Sequence, residues 1–187
     1  MKIQKGDFGY IAARKRRALL GVLAMTCIGI AVFLVGLFLN KMSNRNIFTV
    51  IAVLFALPGA RFLVAFIVMF PYKSVERERY EAVEGKLPRN MQLYTDLVVT
   101  SAEKIMQLDF VAVGNGQVIG LLGEGKQELS YVRSYLTKGV ANWGDGYRVK
   151  IVEREKVFLS ELAAVEPQEV DEEQEEKVKS FLTSLIV

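Results

Sequence analysis

The chain has 187 residues, 51% of them hydrophobic, a formal net charge of +3, one cysteine and no histidine. Without histidine there is no Ser-His-Asp or Cys-His catalysis, and most zinc enzymes are excluded. The single cysteine, Cys27, allows neither an intrachain disulfide nor a cysteine-based zinc site. Catalysis would have to use Asp, Glu, Lys, Tyr or a carboxylate-bound metal.

Residues 1–17 are basic, with Arg14-Lys15-Arg16-Arg17 set directly against an apolar run. That run, Ala18 to Leu39, carries no charge, and a second, Ile47 to Phe70, carries only Arg61. At 1.5 Å per residue each is long enough to cross a hydrocarbon core of about 30 Å. The short polar stretch between them, Asn40 to Asn46, predicts a tight turn and so an antiparallel transmembrane hairpin over 18–70. A cleaved signal peptide is the competing reading of the first run. The run is too long for one, lacks a small-residue cleavage site and is followed by a second span.

Basic residues flank both outer ends of the pair, and only Lys41 and Arg45 lie in the turn. The expectation is a multi-pass protein of the cell membrane with both termini cytoplasmic. Charge divides along the same line: nine Lys/Arg against one acid in residues 1–70, and fifteen against twenty acids in residues 71–187. The basic segment suits an anionic lipid surface. The acidic remainder argues against a nucleic-acid partner.

Within the hairpin, Gly29 and Gly36 share a face of the first span. Ala52, Ala56 and Ala60 form a small-residue stripe on the second. The two faces are expected to pack together, with homo-oligomerisation through the stripe as the alternative. Pro58 predicts a kink and a freed carbonyl one turn earlier. Arg61, close behind it, needs a freed carbonyl, a lipid phosphate or an acid on another chain.

Residues 71–187 read as one small cytoplasmic α/β (α+β) domain. A charged helix over Val75–Gly85 leads to strands at Leu93–Thr100, Ile105–Val113 and Gln117–Leu122. The last two are joined by a hairpin turn at Gly114-Asn115-Gly116. A helix over Gln127–Asn142, a strand over Tyr147–Val152, a helix over Glu155–Val165 and an acidic C-terminal helix follow. The order is α-β-β-β-α-β-α-α.

That order, with Leu108-Asp109-Phe110-Val111-Ala112-Val113-Gly114-Asn115-Gly116-Gln117-Val118-Ile119, resembles the nuclease-related and restriction-endonuclease-like, or PD-(D/E)XK, families over residues 75–152. The resemblance implies an αβββαβ core. It implies a divalent metal held by an Asp on the second strand and a Glu-x-Lys on the third. Asp109 falls on the matching strand, and Glu124-Gly125-Lys126 carries the Glu-x-Lys letters about two residues late. Asp109, Glu124 and Lys126 are then the catalytic candidates, with Mg²⁺ as cofactor and Tyr94 and Asp96 as neighbours. Read from the residues alone, Asp109 is a strand-end charge and Glu124–Lys126 a solvated turn, with no cofactor. The expected function is therefore a membrane-anchored, non-enzymatic domain that binds a protein partner. The alternatives are a membrane-tethered metal-dependent nuclease and an accessory subunit of a membrane complex.

Overall fold

The computed structural model describes residues 3–43, 45–101, 103–125, 127–168 and 170–187. It divides into two compact units, Ile11–Lys73 and Met1–Tyr10 with Ser74–Val187. The division falls at Tyr10 and Ser74, not at residues 17 and 70. Residues 3–10 belong to the sheet-bearing unit rather than forming a separate basic arm with Ile11–Arg17.

The helical unit holds α1 (Tyr10–Leu39), α2 (Ile47–Leu54) and α3 (Ala56–Met69). Helix α1 begins eight residues before the apolar run, so the Arg14–Arg17 cluster is helical. Two helical stretches, Tyr10–Leu39 and Ile47–Met69, are long and apolar enough to cross a membrane. The second is interrupted at Phe55, whose N–H donates to Ala52 O at 3.2 Å, a tightened turn. The interruption lies one turn before Pro58, whose ring opposes the carbonyl of Leu54. Asn46 caps α2 by accepting from Thr49 N at 3.0 Å. Lys15 Nζ donates to the carbonyl of Phe70 at 2.8 Å and to that of Tyr72.

The second unit is built on a four-stranded sheet in the order β1 (Met91–Thr100), β2 (Ile105–Gly114), β3 (Gln117–Leu122), β4 (Arg148–Val152). Strands β1 to β3 form an antiparallel meander, and β4 lies parallel to β3. The β2–β3 turn is closed by Asn115 at φ 52° and Gly116 at φ 69°. Both signs are what a two-residue hairpin requires. The parallel β4 needs a crossover, which α5 (Leu129–Ala141) supplies. Helix α4 (Arg77–Glu84) precedes the sheet, and α6 (Glu155–Ala163) and α7 (Glu172–Ser184) follow it.

The sheet is covered on both faces. One core combines Leu97, Leu108, Val111 and Val118 with Val132 and Leu136 of α5 and Val178 and Leu182 of α7. The other combines Phe110, Ala112, Ile119 and Leu121 with Val83 of α4 and Phe158 and Leu162 of α6. Double coverage explains why Phe110–Val113 of β2 are apolar on both faces. The outer edge of β1 is capped by the two ends of the chain. Thr95 N donates to Gly6 O at 2.8 Å, and Val187 N donates to Val98 O at 3.0 Å. An otherwise open strand edge is thereby closed. Tyr10 Oη donates to Val187 O at 3.0 Å, and Lys5 Nζ donates to Ile186 O.

Candidate functional site

The side-chain alternation of β1 and β2 breaks at one level, and there the β2–β3 pairing slips by one residue while the β1–β2 register is kept. Between β1 and β2, Thr95 pairs with Phe110 and Leu97 with Leu108, while Asp96 takes φ 58°. Between β2 and β3, Leu108 pairs with Leu122 and Phe110 with Leu121, which leaves Asp109 as the extra residue of a bulge. The side-chain alternation changes phase there. Met106 and Leu108 face the α5/α7 core, and so do Val111 and Val113. The bulge places Asp109 beside Phe110, toward α4 and α6.

Asp96 and Asp109 are both buried, at 0% and 5% exposure. Asp96 Oδ1 accepts from Val75 N at 2.9 Å, which fixes the segment entering α4. Asp109 Oδ2 accepts from Arg79 Nη1 at 3.0 Å, and Arg79 Nε donates to Glu155 Oε2 at 2.8 Å. The guanidinium also lies 5.7 Å from the Phe110 ring centroid. Asp109 Oδ1 accepts a longer bond from Gln107 Nε2, at 3.4 Å. Burial pushes the Asp109 carboxyl above the ordinary carboxylate value, and Arg79 opposes that shift only in part. Arg79 is correspondingly held more firmly protonated by its two acids.

The residue immediately after β3, Gly123, lies against Asp109. A Cβ built there would lie 2.8 Å from Asp109 Oδ1 and 2.7 Å from Gln107 Cγ. No larger residue fits beside Asp109 without a shift. Glu124 follows on the exposed turn, near enough to raise the Asp109 pKa by charge repulsion. Lys126 lies outside the described residues. Gln127 fastens this turn: its Oε1 accepts from Gln107 N at 2.8 Å, and its Nε2 donates to Gln107 O at 3.0 Å. Among the described residues no cluster of three or more His, Cys, Asp or Glu could hold a metal ion. Asp109 serves as one end of an Asp109–Arg79–Glu155 ion chain joining β2, α4 and α6. Tyr94 is buried on the opposite face of β1, and burial raises its phenol to about 12.

Sequence reasoning did not single out Arg79, Glu155, Gln107 or Gln127. Arg79 is one of several charges in Val75–Gly85, and no periodicity distinguishes it. The position of Asp109 after a strand start is legible, but Arg79 lies 30 residues before it, and the Glu155 that Arg79 also binds lies 76 residues beyond Arg79.

In the helical unit the expected glycine-on-alanine packing is only partly present. Gly29 lies against the Ala52 carbonyl and Phe55 Cβ, at 3.4 and 3.5 Å from a built Cβ. Gly36 receives Phe48, and Gly21 receives the ring of Phe62. Phe48 and Phe62 thus occupy two glycine notches of α1, and Phe55, midway between them, stands with Ala52 at the third. The seven-residue phenylalanine repeat is visible in the sequence. Ala52, Ala56, Gly59 and Ala60 instead line an open groove of about 410 Å³ with Met25 and Gly29. Arg61 is exposed and has no hydrogen bond or ion pair among the described residues. Comparison of the chain with protein families, curated proteins and solved structures finds no match.

Proposed function

We propose that this chain is a multi-pass membrane protein of the cell membrane whose helix pair anchors a non-enzymatic cytoplasmic α+β domain that binds a protein partner. The observation that carries the anchor is the exposure of the two apolar helices. Leu20, Leu23, Ile30 and Phe38 on α1, and Val53, Leu57, Val64 and Ile67 on α2 and α3, all stand outside any core. An apolar surface of that extent needs lipid or protein around it. The basic residues at both outer ends support a cytoplasmic N- and C-terminus. The non-enzymatic part rests on Asp109, whose carboxylate is engaged by Arg79, and on Gly123, the residue after β3 that lies against it.

The topology is tested by membrane-impermeant maleimide on intact cells, in a Cys27→Ala background. A cysteine at Ser43 should label, and cysteines at Ser74 and Ser184 should label only after permeabilisation. Labelling of Ser184 in intact cells overturns the proposed orientation.

A second reading, a membrane-tethered metal-dependent nuclease, is favoured by one observation. The run α4–β1–β2–β3–α5–β4 follows the αβββαβ order, with Asp109 at a bulge on β2. The purified chain with Mg²⁺ or Mn²⁺ and with DNA and RNA decides it. Cleavage that disappears in Asp109→Asn, with the circular dichroism unchanged, makes the enzyme reading the leading one.

A further inference from the structure

Resting on the anchor reading above, we infer that the face of α3 bearing Arg61 is a docking seam for a transmembrane helix of a different protein, one that carries an Asp or Glu at the depth of Arg61.

The side of α2 and α3 that packs on α1 is defined by Phe48, Phe55 and Phe62 in their glycine notches and by Gly59 against Met25. At 100° per residue, Arg61 points roughly 160° away from Gly59. It therefore stands on the side that α1 does not cover. Leu54, Leu57 and Val64 share that side at 55%, 70% and 59% exposure. With Val68 they run 54, 57, 61, 64, 68, the alternating three-and-four spacing of a helix–helix seam. A polar residue at one such position selects a partner and fixes register.

Four groups could satisfy the guanidinium, and three fit poorly. A second copy brings no acid to this depth, because residues 18–70 contain neither Asp nor Glu. It would set Arg61 near another Arg61. A lipid phosphate lies outside the hydrocarbon. Arg61 is eight residues from the end of α3 at Met69, about 12 Å along the axis, more than an arginine side chain spans. The carbonyl of Leu54 freed by Pro58 is seven residues back, about 10 Å along the axis. A carboxylate on a neighbouring span satisfies both charge and depth, and buried membrane charges are found paired in this way.

The test uses the full chain in its native membranes, with a photo-activated cross-linking residue at Leu57 or, as the control facing the groove, at Leu63. The expected adduct from Leu57 joins an apolar segment of another protein that contains one Asp or Glu. Arg61→Leu should reduce it at least tenfold, and Arg61→Lys should keep most of it. Arg61→Glu combined with Lys at the partner's acid should restore it. Adducts to lipid alone, to a second copy or to a segment lacking an acid overturn the inference, as does an adduct indifferent to Arg61→Leu. Carbonate extraction of the same membranes separates the two levels. A retained chain without the adduct refutes the docking seam alone, whereas a released chain refutes the anchor and the seam with it.

Discussion

Replacing Arg79 with leucine removes the cation from a buried acid while keeping the apolar contact with Phe110. The Asp109 side chain is 8% exposed and that of Arg79 33%. Removing one partner of a fully buried pair costs about 3–5 kcal/mol. Because a third of Arg79 meets solvent, screening reduces this to about 2–3 kcal/mol. That corresponds to a Tm lowered by about 6–15 °C for a unit of this size. Trp143 is the only tryptophan, stacked on Phe181 with centroids 6.3 Å apart, so its fluorescence reports the sheet unit alone. Urea unfolding of the full chain in non-ionic detergent is the assay. The pH dependence has a definite sign. Asp109 is an acid whose folded value is raised, so its contribution favours the fold at low pH and is lost as pH rises through the folded value. Without Arg79 that value rises further. The deficit of Arg79→Leu should be largest at neutral pH and shrink on acidification toward the ordinary carboxylate range. Asp109→Asn in the same chain should recover at least half of it. A loss under about 0.5 kcal/mol, well below the range expected for a buried pair, or one that does not change with pH, would refute the ion-chain account. So would a double variant no better than the single one.

The helix pair offers a paired comparison: Gly36→Ala drives a methyl to 2.4 Å from Phe48 Cβ and should lower thermal stability in detergent, whereas Gly59→Ala meets only Met25 Cβ at 3.6 Å and should be neutral or stabilising. Gly6→Ala combines φ 86° with a Cβ 2.6 Å from Tyr94, and should cost about 1–3 kcal/mol in the Trp143 unfolding curve. Residues 86–187 expressed alone lack Tyr10, Val75 and Val83, all buried, and should show no cooperative transition. Residues 74–187 with 1–10 joined by a short linker should show one. Tyr80, Tyr94 and Tyr147 are each raised to about 12, Tyr80 chiefly by its bond to Glu84 and the other two by burial. An ultraviolet titration should find their phenolates forming late. Their contribution to stability, complete below about pH 10, should be lost as pH rises toward 12.

Local pattern determined a large part of this protein. Two uncharged or nearly uncharged runs of spanning length, an alternating or fully apolar strand and a Gly-Asn-Gly turn are each properties of contiguous residues. Their consequences, the two long apolar helices and the order α4–β1–β2–β3–α5–β4–α6–α7, appear in the structure. Pro58 likewise acts on its own helix, and the break at Phe55 follows from a ring that cannot donate a hydrogen bond. Tertiary structure alone decided what lies between distant segments. It brought Arg79 of α4 and Glu155 of α6 together beside Asp109, because the β2–β3 pairing slips by one residue there and the bulge turns that carboxylate toward both helices. It assigned residues 3–10 to the sheet, because an open β1 edge needs the carbonyl of Gly6. It set Phe48 and Phe62 into the Gly36 and Gly21 notches and left Ala52 at Gly29 alone, because an antiparallel pair selects its contacts by register, which neither helix specifies by itself. A bulge and a helix register are settled by packing over tens of residues, beyond the reach of any periodicity within one element.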